Sequence, residues 1–259
     1  MTNDTLNVAL VQTSLVWENP KANRTHIEDK VSSITADLII LPEMFSSGFT
    51  MNASEVAETM DGETIAWLKS LSKTKNAAIV GSLVITENNN YYNRLVFVEP
   101  NGTLTTYDKR HTFTLAGEHK VYTAGSEKTI IDYKGFKICP LVCYDLRFPV
   151  WARNSENYDV LIYVANWPKV RIAAWDALLK ARAIENMSYC IGVNRVGLDG
   201  NNYEYSGHSA VYDVLGHRMD SIPESIETVE VVTLEKSHIT KYRERLGFLK
   251  DRDTFNLEV

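Results

Sequence analysis

Cys143 stands at the end of an apolar run, ICPLVC, and Tyr144, Asp145 and Arg147 follow at once. A cysteine within a strand is usually a small core residue. One placed where a strand gives way to a polar turn has backbone N–H groups close by. That is the layout of a nucleophile elbow, although the glycine pattern of hydrolase elbows is absent. Helix N-terminal N–H groups would favour the thiolate and supply half of an oxyanion hole. Such a thiol needs a base. His111, His119 and His208 have no diagnostic spacing to it. Glu43 directly follows the run LIILP. A carboxylate there either caps a turn or, with its pKa raised by partial burial, works as a general base. Lys109, in TTYDKRHTF, ends a hairpin. It is either a solvated surface charge or, turned inward, a point charge for an oxyanion.

The elements that would position these residues follow from apolar patterning. Residues 6–13, 36–44, 76–85 and 158–168 read as buried strands, the second and fourth leaving through Pro42 and Pro168. Within them DLIILPE and DVLIYVANWP look alike, each running from an Asp to a Pro, which suits two similar strand ends facing one site. Helical spacing covers 18–35, 62–75, 147–156, 173–188 and 235–246. Asn101-Gly102 and Lys134-Gly135 mark hairpin turns. This mixture of βα units with hairpins suits two mixed sheets packed together with helices outside.

The chain has 259 residues, 44% hydrophobic and 23% charged, which is enough to bury a sizeable core. A net charge of −6 argues against non-specific nucleic-acid binding. No apolar run approaches the roughly 20 residues of a membrane span. The first residues lack the pattern of a signal peptide. The three cysteines, Cys139, Cys143 and Cys190, do not make a disulfide framework. The expectation is a cytoplasmic protein with reduced thiols and no membrane or nucleic-acid partner. Cys139 shares a strand face with Cys143 by count and is expected behind the site.

At the three chemical positions the sequence resembles the nitrilase (carbon–nitrogen hydrolase) superfamily. LIILPEMFSSGF is similar to its Glu motif, YDKRHTF to its Lys motif and LVCYDLRFPVW to its Cys motif, in the same order. The likeness extends through ALVQT, YDVLIYVANWP and WDALLKARAIENMSYCIGVNRVG, nearly the whole chain. The phrase CYDLRFPVWARN with YVANWP and RAIEN resembles the bacterial omega-amidase branch, which hydrolyses small dicarboxylate monoamides such as 2-oxoglutaramate.

That resemblance implies an α/β fold, a four-layer α-β-β-α sandwich, as one domain over 1–259. It implies homodimers, to which the last ~13 residues, with Phe248, Leu249, Phe255 and Leu257, contribute if they cross to a partner rather than fold back. Cys143 would be the nucleophile, Glu43 the general base and Lys109 the oxyanion holder, with Glu118 in LAGEHKVY as a second carboxylate. The backbone N–H of Tyr144 would share the oxyanion. No metal or organic cofactor is required. A monoamide of a dicarboxylate needs a cation for its free carboxylate. Arg147, four residues past the nucleophile, suits a bidentate pair, and Asn166 and Trp167 leave a strand that should border the pocket. The alternatives are a nitrilase or N-carbamoyl amidohydrolase sharing the same triad, a binding protein on the same fold, and a metal hydrolase built on His111, Glu118 and His119. The last matches no zinc spacing.

Overall fold

The computed structural model describes residues 4–258. Residues 1–3 and Val259, and with them both ends of the expected 1–259 unit, lie outside the described residues. In chain order the strands are β1 (Thr5–Gln12), β2 (Leu38–Ile40), β3 (Ala78–Glu87), β4 (Asn90–Val98), β5 (Leu104–Asp108), β6 (Ile131–Tyr133), β7 (Phe136–Val142), β8 (Val160–Ala165), β9 (Tyr189–Asn194), β10 (Val196–Leu198), β11 (Glu204–Ser206), β12 (Ala210–Tyr212) and β13 (Thr228–Glu235). The α-helices are α1 (Pro20–Val31), α2 (Ala53–Val56), α3 (Glu63–Lys75), α4 (Pro149–Ala152), α5 (Ile172–Asn186) and α6 (Lys236–Leu246).

Two sheets carry the site. The first has the order β13-β1-β2-β3-β4-β5 and the second β12-β9-β8-β7-β6. In each, three parallel strands (β1, β2, β3 and β7, β8, β9) are flanked by antiparallel partners. Strand alternation assigns the faces. Val8 and Leu10 of β1 join the core shared with the second sheet, while Ala9 and Val11 pack with Ile27 and Val31 of α1 and Ile65, Leu68 and Leu71 of α3. Burying each of those last three contributes roughly 1.5–3 kcal/mol. Trp175, Leu179 and Ala183 of α5 cover the second sheet. Gly192 of β9 permits the close approach, because a Cβ there would stand 2.4 Å from the Leu179 side chain. The order of layers is the expected α-β-β-α.

Local chemistry sets the element ends. Pro20 opens α1 and the Asn19 side chain accepts from Ala22 N–H, so the helix is shorter than 18–35. Asn76, left-handed at φ 48°, closes α3. The turns at Asn101-Gly102 and Lys134-Gly135 join β4 to β5 and β6 to β7. A further hairpin, β3 to β4, turns on Asn88 and Asn89, both at positive φ.

One expectation needs correction. The helix over 147–156 shrinks to α4, preceded by a 3₁₀ turn over Cys143–Arg147, because Pro149 starts a new helix rather than continuing one. Of the two courses left open for the tail, folding back to bury its apolar residues is not what the structure has: Phe248, Phe255 and Leu257 remain exposed.

Candidate active site

Glu43, Lys109, Cys143 and Asn166 all sit one or a few residues beyond strand C-terminal ends, at β2, β5, β7 and β8. In parallel sheets this is where ligands bind. Pro42 stops β2, and the turn behind it folds onto β3: Leu41 N–H donates to Val80 O and Phe45 N–H to Ser82 O. Gly81 makes room, since a Cβ there would meet Leu41 and Phe45 at 2.9 Å. Lys109 is held by its N–H on Asn93 O (3.0 Å) and by Gly125 N–H on its carbonyl (2.9 Å). Glu118 rides a pair of 3₁₀ turns hinged at Gly117, φ 77°.

These side chains form one buried polar cluster. Lys109 Nζ donates to Glu43 Oε1 at 2.9 Å and to Glu118 Oε1 and Oε2 at 3.0 and 2.9 Å. Asn93 Nδ2 donates to both carboxylates, at 2.8 Å to Glu43 and 3.2 Å to Glu118. Asn166 N–H donates to Glu43 Oε2 at 2.8 Å, and its side-chain amide to Glu43 O. The two Asp-to-Pro strand ends therefore do meet at one site. Burial works against the Lys109 charge, but Glu118 and Glu43 outweigh it and hold its pKa above the usual lysine range. Burial pushes the Glu118 carboxyl up, with Glu43 adding to the shift and Lys109 opposing it.

Cys143 occupies the first position past β7 with φ 44°. A left-handed backbone at a non-glycine residue costs roughly 1–2 kcal/mol, which the surrounding hydrogen bonds must offset. The elbow reading holds, but the thiolate expectation needs correction. Burial and the neighbouring Glu43 charge push the thiol well above its ordinary pKa, with only Lys109 notably opposing. The following turn is 3₁₀ rather than an α-helix, so no long helix dipole offsets this. A thiol raised in this way calls for a base, and the Glu43 carboxylate stands beside it. The left-handed backbone also breaks the strand count that put Cys139 behind the site. Cys139 is buried within β7, and its thiol is pushed up to about 12 by burial.

A cavity of about 460 Å³ opens over Cys143 and Lys109. Tyr144, Arg147, Asn166 and Trp167 all line it, as do Phe49, Phe113, Arg171 and Tyr205. Arg147 lies over the Trp167 ring at 4.8 Å and Arg171 over the Phe113 ring at 5.1 Å. Among the described residues neither arginine has a carboxylate partner. Sequence reasoning missed Arg171, Phe113 and Asn93; of these only Asn93 carries a local signal, an amide inside the apolar strand β4. His111 pairs with Asp145 at 2.8 Å, His119 is exposed, and Glu118 is taken by Lys109. Among the described residues no three His, Cys, Asp or Glu side chains are arranged to hold a metal ion.

Comparisons with known proteins follow this geometry. The family model for carbon-nitrogen hydrolases matches residues 7–244. The chain is 44% identical to the omega-amidase YafV of Yersinia enterocolitica, over 98% of this chain and 99% of that protein. It is 36% identical to the 2-oxoglutaramate amidase of Bacillus subtilis, over 77% and 78%. A solved CN-hydrolase superfamily protein of Xanthomonas campestris, with an arsenic adduct in its active site, superposes with a TM-score of 0.96 at 42% identity, over 98% of this chain and 99% of that one. The chain belongs to the carbon-nitrogen hydrolase family.

Proposed function

We propose that this protein is an omega-amidase: it releases ammonia from small monoamides that carry a free carboxylate, of the 2-oxoglutaramate and succinamate type. The observation that carries the reading is that one cavity is lined both by Cys143 and Lys109, the latter held from behind by Glu43 and Glu118, and by two arginines that have no acidic partner among the described residues. The names of the relatives support the same class.

Each residue's part follows from its surroundings. Glu43 takes the thiol proton as Cys143 Sγ bonds to the amide carbon. Lys109 has three N–H donors; one goes to Glu43, and when the two Glu118 oxygens share a second, the third turns to the developing oxyanion. The Tyr144 backbone N–H is the second donor. The C–N bond then breaks, Glu43 returns its proton to the nitrogen, and ammonia leaves a thioester on Cys143. Water, deprotonated by Glu43, adds to the thioester. The C–S bond breaks and the proton returns to the thiol. Glu118, touching Lys109 rather than the substrate, orients the ammonium. Arg147 and Arg171 hold the distal carboxylate, while Trp167 and Asn166 wall the acyl chain. These steps use no metal or organic cofactor.

The same reading takes the chain as one catalytic domain that works as a homodimer in the cytoplasm. The exposed Phe248, Phe255 and Leu257 support a tail that packs on a second copy; three unbridged cysteines support a reducing compartment. Among the described residues no helix is long and apolar enough to cross a membrane.

The test is ammonia release from 2-oxoglutaramate, succinamate, glutaramate and glutamine by wild type and Cys143→Ala. Release from the first three, weak release from glutamine and none by the variant is the expected pattern. Release only from nitriles or carbamoyl compounds would replace the substrate class, and undiminished turnover by Cys143→Ala would end the thioester mechanism.

A further inference from the structure

The Asp145 carboxylate is fully buried and takes part in none of the steps above. It accepts four hydrogen bonds. Tyr107 OH donates to Oδ2 at 2.7 Å and Val142 N–H to Oδ2 at 3.1 Å. The His111 backbone N–H donates to Oδ1 at 2.9 Å, and His111 Nδ1 lies 2.8 Å from the same oxygen.

The donors are not scattered. Tyr107 and His111 stand two residues either side of Lys109, one at the end of β5 and one beyond it. Val142 immediately precedes Cys143, and Asp145 itself lies two residues after. One carboxylate therefore grips the lysine segment and the cysteine segment on both sides of each reacting residue. The two segments come from different sheets, so strand pairing does not set their spacing. The donors are themselves fixed: Trp151 Nε1 donates to Tyr107 OH at 3.0 Å, and the His111 ring stacks on Phe148 at 3.6 Å between centroids.

We propose that Asp145 is a positioning residue for this hydrolysis: it sets the separation of Lys109 from Cys143 and holds Cys143 in its left-handed conformation. The inference rests on the reading of Lys109 and Cys143 as reacting residues. Only an ionised carboxylate offers acceptors alone on both oxygens. An asparagine would turn an NH₂ donor toward two existing donors.

The test uses the full chain as Asp145→Asn and Tyr107→Phe. Turnover is expressed per folded site, counted by mass spectrometry from molecules whose buried Cys139 and Cys190 resist iodoacetamide, and the Cys143 alkylation rate is followed against pH. A carboxylate that merely stabilised the fold would lower the folded fraction but leave turnover per folded site and the pH profile alone. Positioning predicts for Asp145→Asn a fall in kcat per site of about 100-fold, as for a displacement near 1 Å. KM changes by less than about threefold because the cavity's arginines are untouched. The alkylation profile moves to higher pH, since the thiol loses the nearby Lys109 charge.

Tyr107→Phe removes one of four hydrogen bonds and should lower kcat per site roughly three- to tenfold, with the same direction of profile shift. Unchanged kcat per site and an unchanged profile in either variant would overturn the proposal. Should Asp145→Asn fail to fold, Tyr107→Phe decides alone. If wild type releases ammonia from no amide, the functional reading fails, while the alkylation profiles still judge the role of Asp145.

Discussion

Lys109 and the pair Arg147 and Arg171 are cations on the same cavity, and the protein treats them in opposite ways. Lys109 is buried and clamped between Glu43 and Glu118, with Asn93 bridging both carboxylates. Arg147 and Arg171 have no acidic partner among the described residues and rest on the faces of Trp167 and Phe113. A clamped cation has a fixed position and a charge already neutralised by its neighbours, which suits it to act on a small change in charge at a reacting carbonyl. A cation held only by an aromatic ring keeps most of its field for whatever enters. The contrast separates the groups that do chemistry from the groups that select what the chemistry is done to.

The contrast breaks most sharply at Lys109. Lys109→Met should abolish ammonia release and, by leaving two buried carboxylates without their counter-charge, cost roughly 3–5 kcal/mol of stability in urea unfolding. An active or fully stable Lys109→Met would remove the distinction between the two regions.

Glu118→Gln should lower kcat about 100-fold with KM nearly unchanged, because the residue orients Lys109 rather than the substrate. Its stability has a definite sign. The fold raises the Glu118 carboxyl, so it favours the protonated form. That stabilisation is complete below the ordinary carboxylate range and is lost as pH rises through the raised value. Gln is neutral throughout, so the variant should gain stability relative to wild type as pH rises from about 4 until the raised Glu118 value is passed. Denaturant midpoints across that range check it, and a constant difference would contradict it.

Arg147→Met and Arg171→Met should do the reverse of Lys109→Met. Each should raise KM for succinamate by roughly 10- to 100-fold, the worth of a charge-assisted hydrogen bond, with kcat changing little. Stability should fall by no more than about 1 kcal/mol, as neither side chain has an acidic partner to lose and Met still packs on the aromatic ring beneath it.

The smallest effect expected is at a carboxylate outside both regions. Lys30, Ser14 and His26 hold Glu227 below the usual carboxylate range in spite of partial burial. A depressed pKa stabilises the fold above the unfolded carboxylate's value, and the contribution disappears as pH falls. Glu227→Gln should therefore lower Tm by a few degrees near neutrality, a difference that begins to shrink below about pH 4 and is gone only once pH falls through the depressed value.

Much of this was legible in the sequence because strand ends write themselves into it. Pro42 and Pro168 mark where β2 and β8 stop, and the polar run after Cys143 marks the end of β7, so Glu43, Asn166 and Cys143 could be placed at the mouth of a sheet. The α-β-β-α layering followed from mixing βα units with hairpins. What escaped depended on contacts between distant segments. Nothing near Arg171 says that it will lie over Phe113, nor near Asn93 that its amide will bridge two carboxylates. The state of the Cys143 thiol was misjudged for the same reason: a local helix was expected to lower its pKa, but burial and Glu43, a hundred residues away in sequence, raise it. The helix after Cys143 is shorter than 147–156 because Pro149 keeps Phe148 out of the helical region and opens a new helix, which ends where Arg153 turns extended.

The most direct test of the division between clamped and free cations is kcat/KM for succinamate against butyramide, which replaces the carboxylate by a methyl group. It should be measured for wild type and for Arg147→Met/Arg171→Met. The account predicts that wild type prefers succinamate by about 100-fold or more, and that the double variant loses this preference while still hydrolysing butyramide at the wild-type rate. A wild type that treats the two amides alike, or a double variant that keeps the preference, would contradict it.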